Sequence, residues 1–243
     1  MNVLGAMAGI CDGEFTKKFT NQNVDIITLG GFSCDIPTYE ASCMIKDMGR
    51  DEFTIKPYNL SNYITDNVKI IHDYNPNWNG KICVNIRGSN SEGFKILKNN
   101  TNIDILEINA HCRQKPITDA GSGQNLQYNL DILEDIICEV SSHKNYDTSI
   151  KLRANVEGVD ILDIIDIINQ YPVKYIHIDA MKPGIMCADY EIIEKISENT
   201  DKHIIANNSI TTYDDYLKMI NHKAHSVSVA RAALKGDITH IFK

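Results

Sequence analysis

The stretch 148–179, TSIKLRANVEGVDILDIIDIINQYPVKYIHID, decides the fold. It opens and closes with short runs rich in Ile and Val, Thr148–Arg153 and Val173–Asp179, each too short for a helix. Between them Ile161, Ile164, Ile165 and Ile168 recur at three- and four-residue steps, while Asp160, Asp163 and Asp166 fall on the opposite side. Strand, amphipathic helix and strand in this order predict a crossover unit with parallel strands. The alternation continues in both directions. Further strands are predicted at Val3–Ala6, Val24–Leu29, Lys81–Arg87, Ile103–Asn109, His203–Asn207 and Ser226–Val229, and further helices over Asn129–Val140 and Tyr213–Ile220. Thr211 or Thr212 would cap the last of these. Eight units in 243 residues predict a single-domain (β/α)8 TIM barrel over 1–243, a fold that commonly takes about 250 residues. A doubly wound sheet with fewer strands is the alternative. The segment Cys34–Asn79 is longer than one helix and predicts an insertion or extra helix there.

Composition narrows the class. Hydrophobic residues at 43% and charged residues at 23% suit a globular protein with a large core. No apolar run approaches the roughly 18–20 residues of a membrane span, and Met1–Gly9 lacks the basic start and apolar stretch of a signal peptide. Seven cysteines without a C-x-x-C pair fit reduced thiols of a cytoplasmic protein and argue against a structural zinc site. The net charge is −8, with only five arginines, so binding to a polyanion would need a local basic patch.

Polar residues gather at the C-terminal ends of the four middle strands. These end Asn85-Ile86-Arg87, Glu107-Ile108-Asn109, Lys151-Leu152-Arg153 and His177-Ile178-Asp179. Side chains alternate across a strand, so the apolar member can face the helices while the polar pair faces the barrel axis. Buried charges cost several kcal/mol unless paired or bound, and this end is where barrel enzymes carry their chemistry. Lys151 and Arg153, with Arg87 as a third cation, suit an anionic ligand. Small and turn-forming residues after the last two strands, Asn207-Asn208-Ser209-Ile210 and Ala230-Arg231, suit a phosphate. A lone cysteine in a loop is usually a packed small residue, but Cys112 lies between His111 and Arg113, a setting that perturbs thiol acidity. Cys83 and Cys138 read as core residues. The stretch Gly121–Leu126 looks like a dinucleotide fingerprint but lacks the preceding strand and is rejected.

In order, these segments resemble the motifs of the tRNA-dihydrouridine synthases, flavin barrels related to the dihydroorotate dehydrogenases. Ala6-Met7-Ala8-Gly9-Ile10-Cys11-Asp12 is similar to the family's P-M-A-G-x-T-D, and Glu107–Cys112 to its D-I-N-x-G-C-P. Lys151-Leu152-Arg153 matches K-x-R, His177 the histidine of H-G-R, Asn207–Ile210 N-G-D-I, and Ala230-Arg231 G-R; Asn85 stands near a flavin-facing glutamine. Departures are Ala6 for proline, His111 for glycine, Arg113 for proline, Asp179-Ala180 for G-R and Asn208 for glycine.

The resemblance implies FMN held by Ala6, Met7, Ala8, Asn85, Lys151, Arg153, His177, Asn207, Asn208, Ala230 and Arg231. It implies NAD(P)H as reductant, Cys112 and Lys151 as catalytic residues, and Asn109, His111 and Arg113 toward the uridine of tRNA. Arg87, Arg113, Lys115, Lys182 and Lys235 would form a basic rim for RNA. The chain ends at Lys243, so the family's C-terminal helical domain is expected to be absent, with a partner protein in its place. The acidic charge favours instead a small pyrimidine substrate, as for a dihydroorotate dehydrogenase-type enzyme. A barrel that binds a phosphorylated ligand without redox chemistry is a further alternative.

Overall fold

The computed structural model describes residues 1–243. Eight parallel strands close into a barrel in sequence order, β1 (Asn2–Leu4), β2 (Ile26–Ser33), β3 (Lys81–Arg87), β4 (Ile105–Ala110), β5 (Asp147–Arg153), β6 (Val173–Asp179), β7 (His203–Asn207) and β8 (Ser226–Val229), with β8 returning to pair β1. The outer layer is built from α1 (Gly13–Thr16), α2 (Ile36–Asp47), α3 (Leu60–Tyr74), α4 (Ser91–Phe94), α5 (Lys115–Asp119), α6 (Leu130–Ser141), α7 (Ile161–Asn169), α8 (Tyr190–Ser197) and α9 (Tyr213–Asn221). The segment after β2 holds two helices, α2 and α3, joined by residues 48–59. Asp160 caps α7 by accepting from the Leu162 N–H, and Thr212 caps α9 in a reciprocal pair with Asp215.

The alternation of side chains holds around the ring. Ile82, Val84, Ile86, Leu106, Ile108, Ile150, Leu152, Ile176 and Ile178 join the helices in one core of 52 buried residues. The complementary positions face the axis, where Val3, Ile26, Cys83, Ile105, Tyr175 and Ile205 form a separate apolar layer. Register pairs Asn85 with Glu107, Asn109 with Lys151, Lys151 with His177 and Arg153 with Asp179, so the polar strand ends stand side by side.

Three readings need correction. β1 ends at Leu4, before Ala6, because the chain turns there into the loop whose Cys11 backbone bridges Gly30. That bridge and the pairing with β3 carry β2 past Leu29 to Ser33, through two glycines that carry no strand signal. Cys138 is exposed, on the outer side of α6, opposite the buried Leu133, Ile136, Ile137 and Val140.

Ile164 is fully buried on α7 and Asp166 is exposed on the same helix. Ile164→Ala should lower stability by about 2–5 kcal/mol and Asp166→Ala by no more than about 0.5 kcal/mol. Urea unfolding of the two variants measures this, and similar losses would contradict the packing of α7.

Candidate active site

Glu107, on β4, is a carboxylate in the middle of the barrel. Its Oε1 accepts from Asn85 Nδ2 at 2.7 Å, and its Oε2 accepts from Ser149 Oγ at 3.2 Å and lies 2.7 Å from His177 Nδ1. Burial alone would raise its pKa, but His177, the nearby Lys151 ammonium and Asn85 outweigh burial and bring it to about 2. Burial, with the Lys151 charge beside it, lowers the pKa of His177 as well. A neutral His177 donates from Nδ1 to Glu107 and leaves Nε2 as an acceptor, buried and without a partner. Lys151, on the neighbouring strand, is only 4% exposed, and its ammonium makes no hydrogen bond or ion pair within the chain.

Above this layer the chain after β4 positions Cys112. Asn109 Oδ1 accepts from the His111 and Cys112 N–H groups at 3.1 and 2.9 Å, while Asn109 Nδ2 donates to Asn85 Oδ1 at 2.8 Å. One Nδ2–H of Asn109 remains free. Gln124 N–H donates to the Cys112 carbonyl and Gln127 Nε2 to the Ala110 carbonyl. Gly123 has φ +60°, and a Cβ there would sit 2.3 Å from the Cys112 carbonyl oxygen. The glycine-rich stretch therefore packs against the cysteine loop rather than cradling a dinucleotide.

Asp179 organises a second polar cluster. Arg153 Nη1 lies 2.9 Å from its Oδ2, His111 Nε2 2.6 Å from the same oxygen, and Asn208 Nδ2 donates to its Oδ1 at 2.6 Å. Burial would raise the Asp179 pKa, but His111, Arg153 and Asn208 hold it well below the ordinary carboxylate range. Burial brings His111 from 6.5 to about 4 despite its contact with Asp179, so its ring is neutral. Arg153 Nη2 also reaches His111 Nε2 at 2.8 Å, and a neutral ring satisfies either Arg153 or Asp179 from that nitrogen, not both.

Arg87 is not a free third cation. It is 1% exposed and forms a bidentate pair with Glu52, at 3.0 and 2.7 Å, while also donating to the Gly31 carbonyl and Ser42 Oγ. That also removes it from the expected basic rim. Lys115 is exposed but paired with Asp119. Arg113 and Lys182 are exposed and unpaired, as is Lys235 on the loop after β8.

A cavity of about 520 Å³ opens over these residues, within the size range of small-molecule sites. Ala6, Ala8, Asn85, Asn109, His111, Cys112, Arg113, Lys151 and Arg153 all line it. Met7, His177, Asn207, Asn208, Ala230 and Arg231 do not. The last four stand at the neighbouring corner above β7 and β8, which Asn208 joins to the cavity through Asp179. There the N–H groups of Asn208, Ser209, Ile210, Arg231 and Ala232 donate to no group in the chain. Arg231 is exposed and unpaired, and Asn207 Oδ1 and Ser228 Oγ are buried without partners.

A family model described as dihydrouridine synthase matches residues 44–236. A protein of Methanocaldococcus jannaschii, described only as uncharacterized, is 35% identical over 98% of this chain and 91% of its own length. The chain belongs to the dihydrouridine synthase family.

Membership in the dihydrouridine synthase family makes an oxidoreductase-type enzyme of this barrel. Its geometry also adds residues that strand patterning did not single out. Glu52 lies 35 positions from Arg87 in an irregular loop, and nothing local marks it as an ion-pair partner. Arg50 and Asp51 reach the cavity from the same loop. Gly9, with φ +76°, approaches that loop so closely that a Cβ would meet the Asp51 carbonyl carbon at 2.3 Å. The alternation rule did place Glu107 and Asp179 on the axis, but their partners emerge only from the register.

The His111 shift has a consequence for stability. The unfolded chain takes up this proton as pH falls through 6.5, the folded chain only near 4, so stability falls with pH across that window. His177, also lowered, acts in the same direction. His111→Asn should flatten the decline between those pH values. Denaturant unfolding at three pH values in the window tests this, and an unchanged slope would assign the titration to other groups.

Proposed function

We propose that this member of the dihydrouridine synthase family is an FMN-dependent reductase of the C5–C6 double bond of uridine in tRNA, with NAD(P)H as reductant. The observation that carries the reading is Lys151, a buried cation without a protein partner, facing the same cavity as Cys112. Its ammonium faces the open cavity with its donors uncommitted, and an electron-rich ring that gains negative charge would engage them.

The residues fit a flavin with a terminal phosphate. Unpartnered N–H groups at 208–210 and 231–232, beside the free Arg231 guanidinium, make a donor-rich corner for a phosphate. On the axis, Lys151 faces the cavity without a protein partner, and His177 Nε2 is a buried acceptor without one. Ala6, Met7 and Ala8, after β1, would flank the ring system, and Asn85 would offer its second Nδ2–H to it. The bound flavin supplies hydride transfer, and the protein supplies position and electrostatics.

Cys112 Sγ would hold the proton destined for C5 of the uracil, a general acid at the cavity mouth. Asn109 orients it by accepting both N–H groups of the turn, and its remaining Nδ2–H would meet a uracil carbonyl. Lys151 would stabilise negative charge at the axis. Arg153 and His111, locked by Asp179, form a rigid wall, with Arg113 free beside them. The cytoplasm, where tRNA resides, would be its compartment, and no helix is long and apolar enough to cross a membrane. A partner protein would supply further contacts to the RNA.

The protein should purify yellow and release FMN on denaturation. Arg231→Ala should lower flavin affinity about ten- to a hundredfold, since a charge-assisted contact contributes about 1.5–3 kcal/mol. Full flavin occupancy in that variant at limiting FMN would place the phosphate elsewhere.

Cys112→Ala should keep its flavin and its reduction by NAD(P)H, while reoxidation by a uridine-containing RNA slows by about 10²–10⁴-fold. Stopped-flow absorbance separates the two half-reactions. Equal losses in both would make Cys112 structural.

Dihydrouridine in tRNA from cells with and without the gene tests the substrate. Loss of dihydrouridine at a defined position on deletion is expected. Identical levels, with no tRNA binding at low salt, would transfer the reading to a free pyrimidine substrate.

A further inference from the structure

Two cavities meet at the mouth of the barrel. Beside the one that holds Cys112 and Lys151 lies a groove of about 580 Å³ between α2 and α5, and Arg50 and Gln114 line both. Gln114 Oε1 is 3.6 Å from Cys112 Sγ, so the shared wall is also the wall of the candidate proton donor. The groove floor is apolar, formed by Pro37, Ala41, Met44, Ile45, Met48 and Pro116, and Met44 and Met48 are 54% and 66% exposed.

The five arginines divide by environment. Arg87 and Arg153 are buried and committed to Glu52 and Asp179. Arg231 stands at the β8 corner. Arg50 and Arg113 are both exposed, both unpaired, and both line the Cys112 cavity, with Arg50 at the junction with the groove. They come from different loops, after α2 and after β4, and converge on one opening. Guanidinium groups free on a cavity rim suit an oxyanion with several acceptors.

We propose that Arg50 and Arg113 grip the phosphodiester next to the reacting uridine, and that the Met44–Met48–Pro116 groove takes the base of the adjoining nucleotide. This rests on the uridine reading above and narrows it to a uridine within a strand. Base, phosphate and base then fall on cavity, arginines and groove in that order. Glu40 on the groove rim makes no ion pair and suits the amino and imino donors of a base, while Lys115 and Asp119 of the same rim pair with each other. The apolar ring of Pro116 and the flexible, polarizable thioethers of Met44 and Met48 suit its ring. The mouth thereby gains a polyanion contact on a chain of net charge −8.

The test compares a fluorescent single-stranded RNA of a few nucleotides, containing one uridine, with free uridine as competitor, at two salt concentrations. The native protein should bind the RNA at least about tenfold more tightly than uridine. Arg50→Ala and Arg113→Ala should each weaken RNA binding about tenfold, the double variant should lower the slope of log affinity against log salt by about 0.7, and Arg50→Ala should leave uridine binding unchanged. Met44→Asp should weaken the RNA alone. Unchanged thermal melting of the variants excludes a folding defect. Equal affinities for RNA and uridine, or a salt slope indifferent to both arginines, would overturn the clamp. The dihydrouridine measurement is separate: arginine-dependent RNA binding without dihydrouridine formation would sink the reaction and leave the clamp standing.

Discussion

The carboxylate of Glu107, sealed inside the barrel, is the constraint on which the site depends. Withdrawing it from water costs several kcal/mol unless donors replace the lost hydration, and three strands besides its own are recruited to do so. Asn85 from β3, Ser149 from β5 and His177 from β6 all point at it, and Lys151 lies within its field. Asn85 is then set to receive Asn109, and Asn109 to hold the backbone of Cys112. The position of the cysteine thus descends, through two amides, from a buried negative charge.

That charge also accounts for Lys151. Lys151 lies in the field of that carboxylate without bonding to it, which leaves its N–H donors free for a ligand. Elsewhere the protein pairs its buried cations directly, Arg87 with Glu52 and Arg153 with Asp179. The contrast separates structural charge from available charge better than a count does. Lys151, Arg50, Arg113 and Arg231 remain uncommitted at the C-terminal end, on a chain whose net charge is −8.

The barrel was legible because two periodicities are written into the chain. Alternation in the strands matches the axis-facing and helix-facing sets from β3 to β6 except at Val173, where the β5–β6 register shifts, and the isoleucines of α7 mark its buried side. Legibility fails where geometry is set by distant contacts. β2 runs on through Gly30 and Gly31 because β3 and Cys11 pair with it, which no local propensity encodes. Cys138 has apolar neighbours in sequence yet lies on the outer side of its helix, because the helical period, not adjacency, decides burial. The Glu52–Arg87 pair joins an irregular loop to a strand end, and only the closed ring brings them together.

Three of the departures from the resembled motifs meet in space, while Ala6 and Arg113 lie outside their cluster. His111 stands for a glycine, Asp179 falls in the segment that replaces G-R, and Asn208 stands for a glycine, yet all three meet at one carboxylate. A histidine introduced alone on the cysteine loop would bury an imidazole beside Arg153. Asp179 Oδ2 lies against both the guanidinium and the His111 ring, and its other oxygen accepts from the Asn208 amide. Removing Asp179 would leave Arg153 buried without a counter-charge, the costly half of any buried pair. Three residues scattered over nearly a hundred positions of sequence therefore form one cluster in space. The motif is altered at a wall of the cavity, while Cys112, Asn109 and Lys151 keep the arrangement that Glu107 imposes.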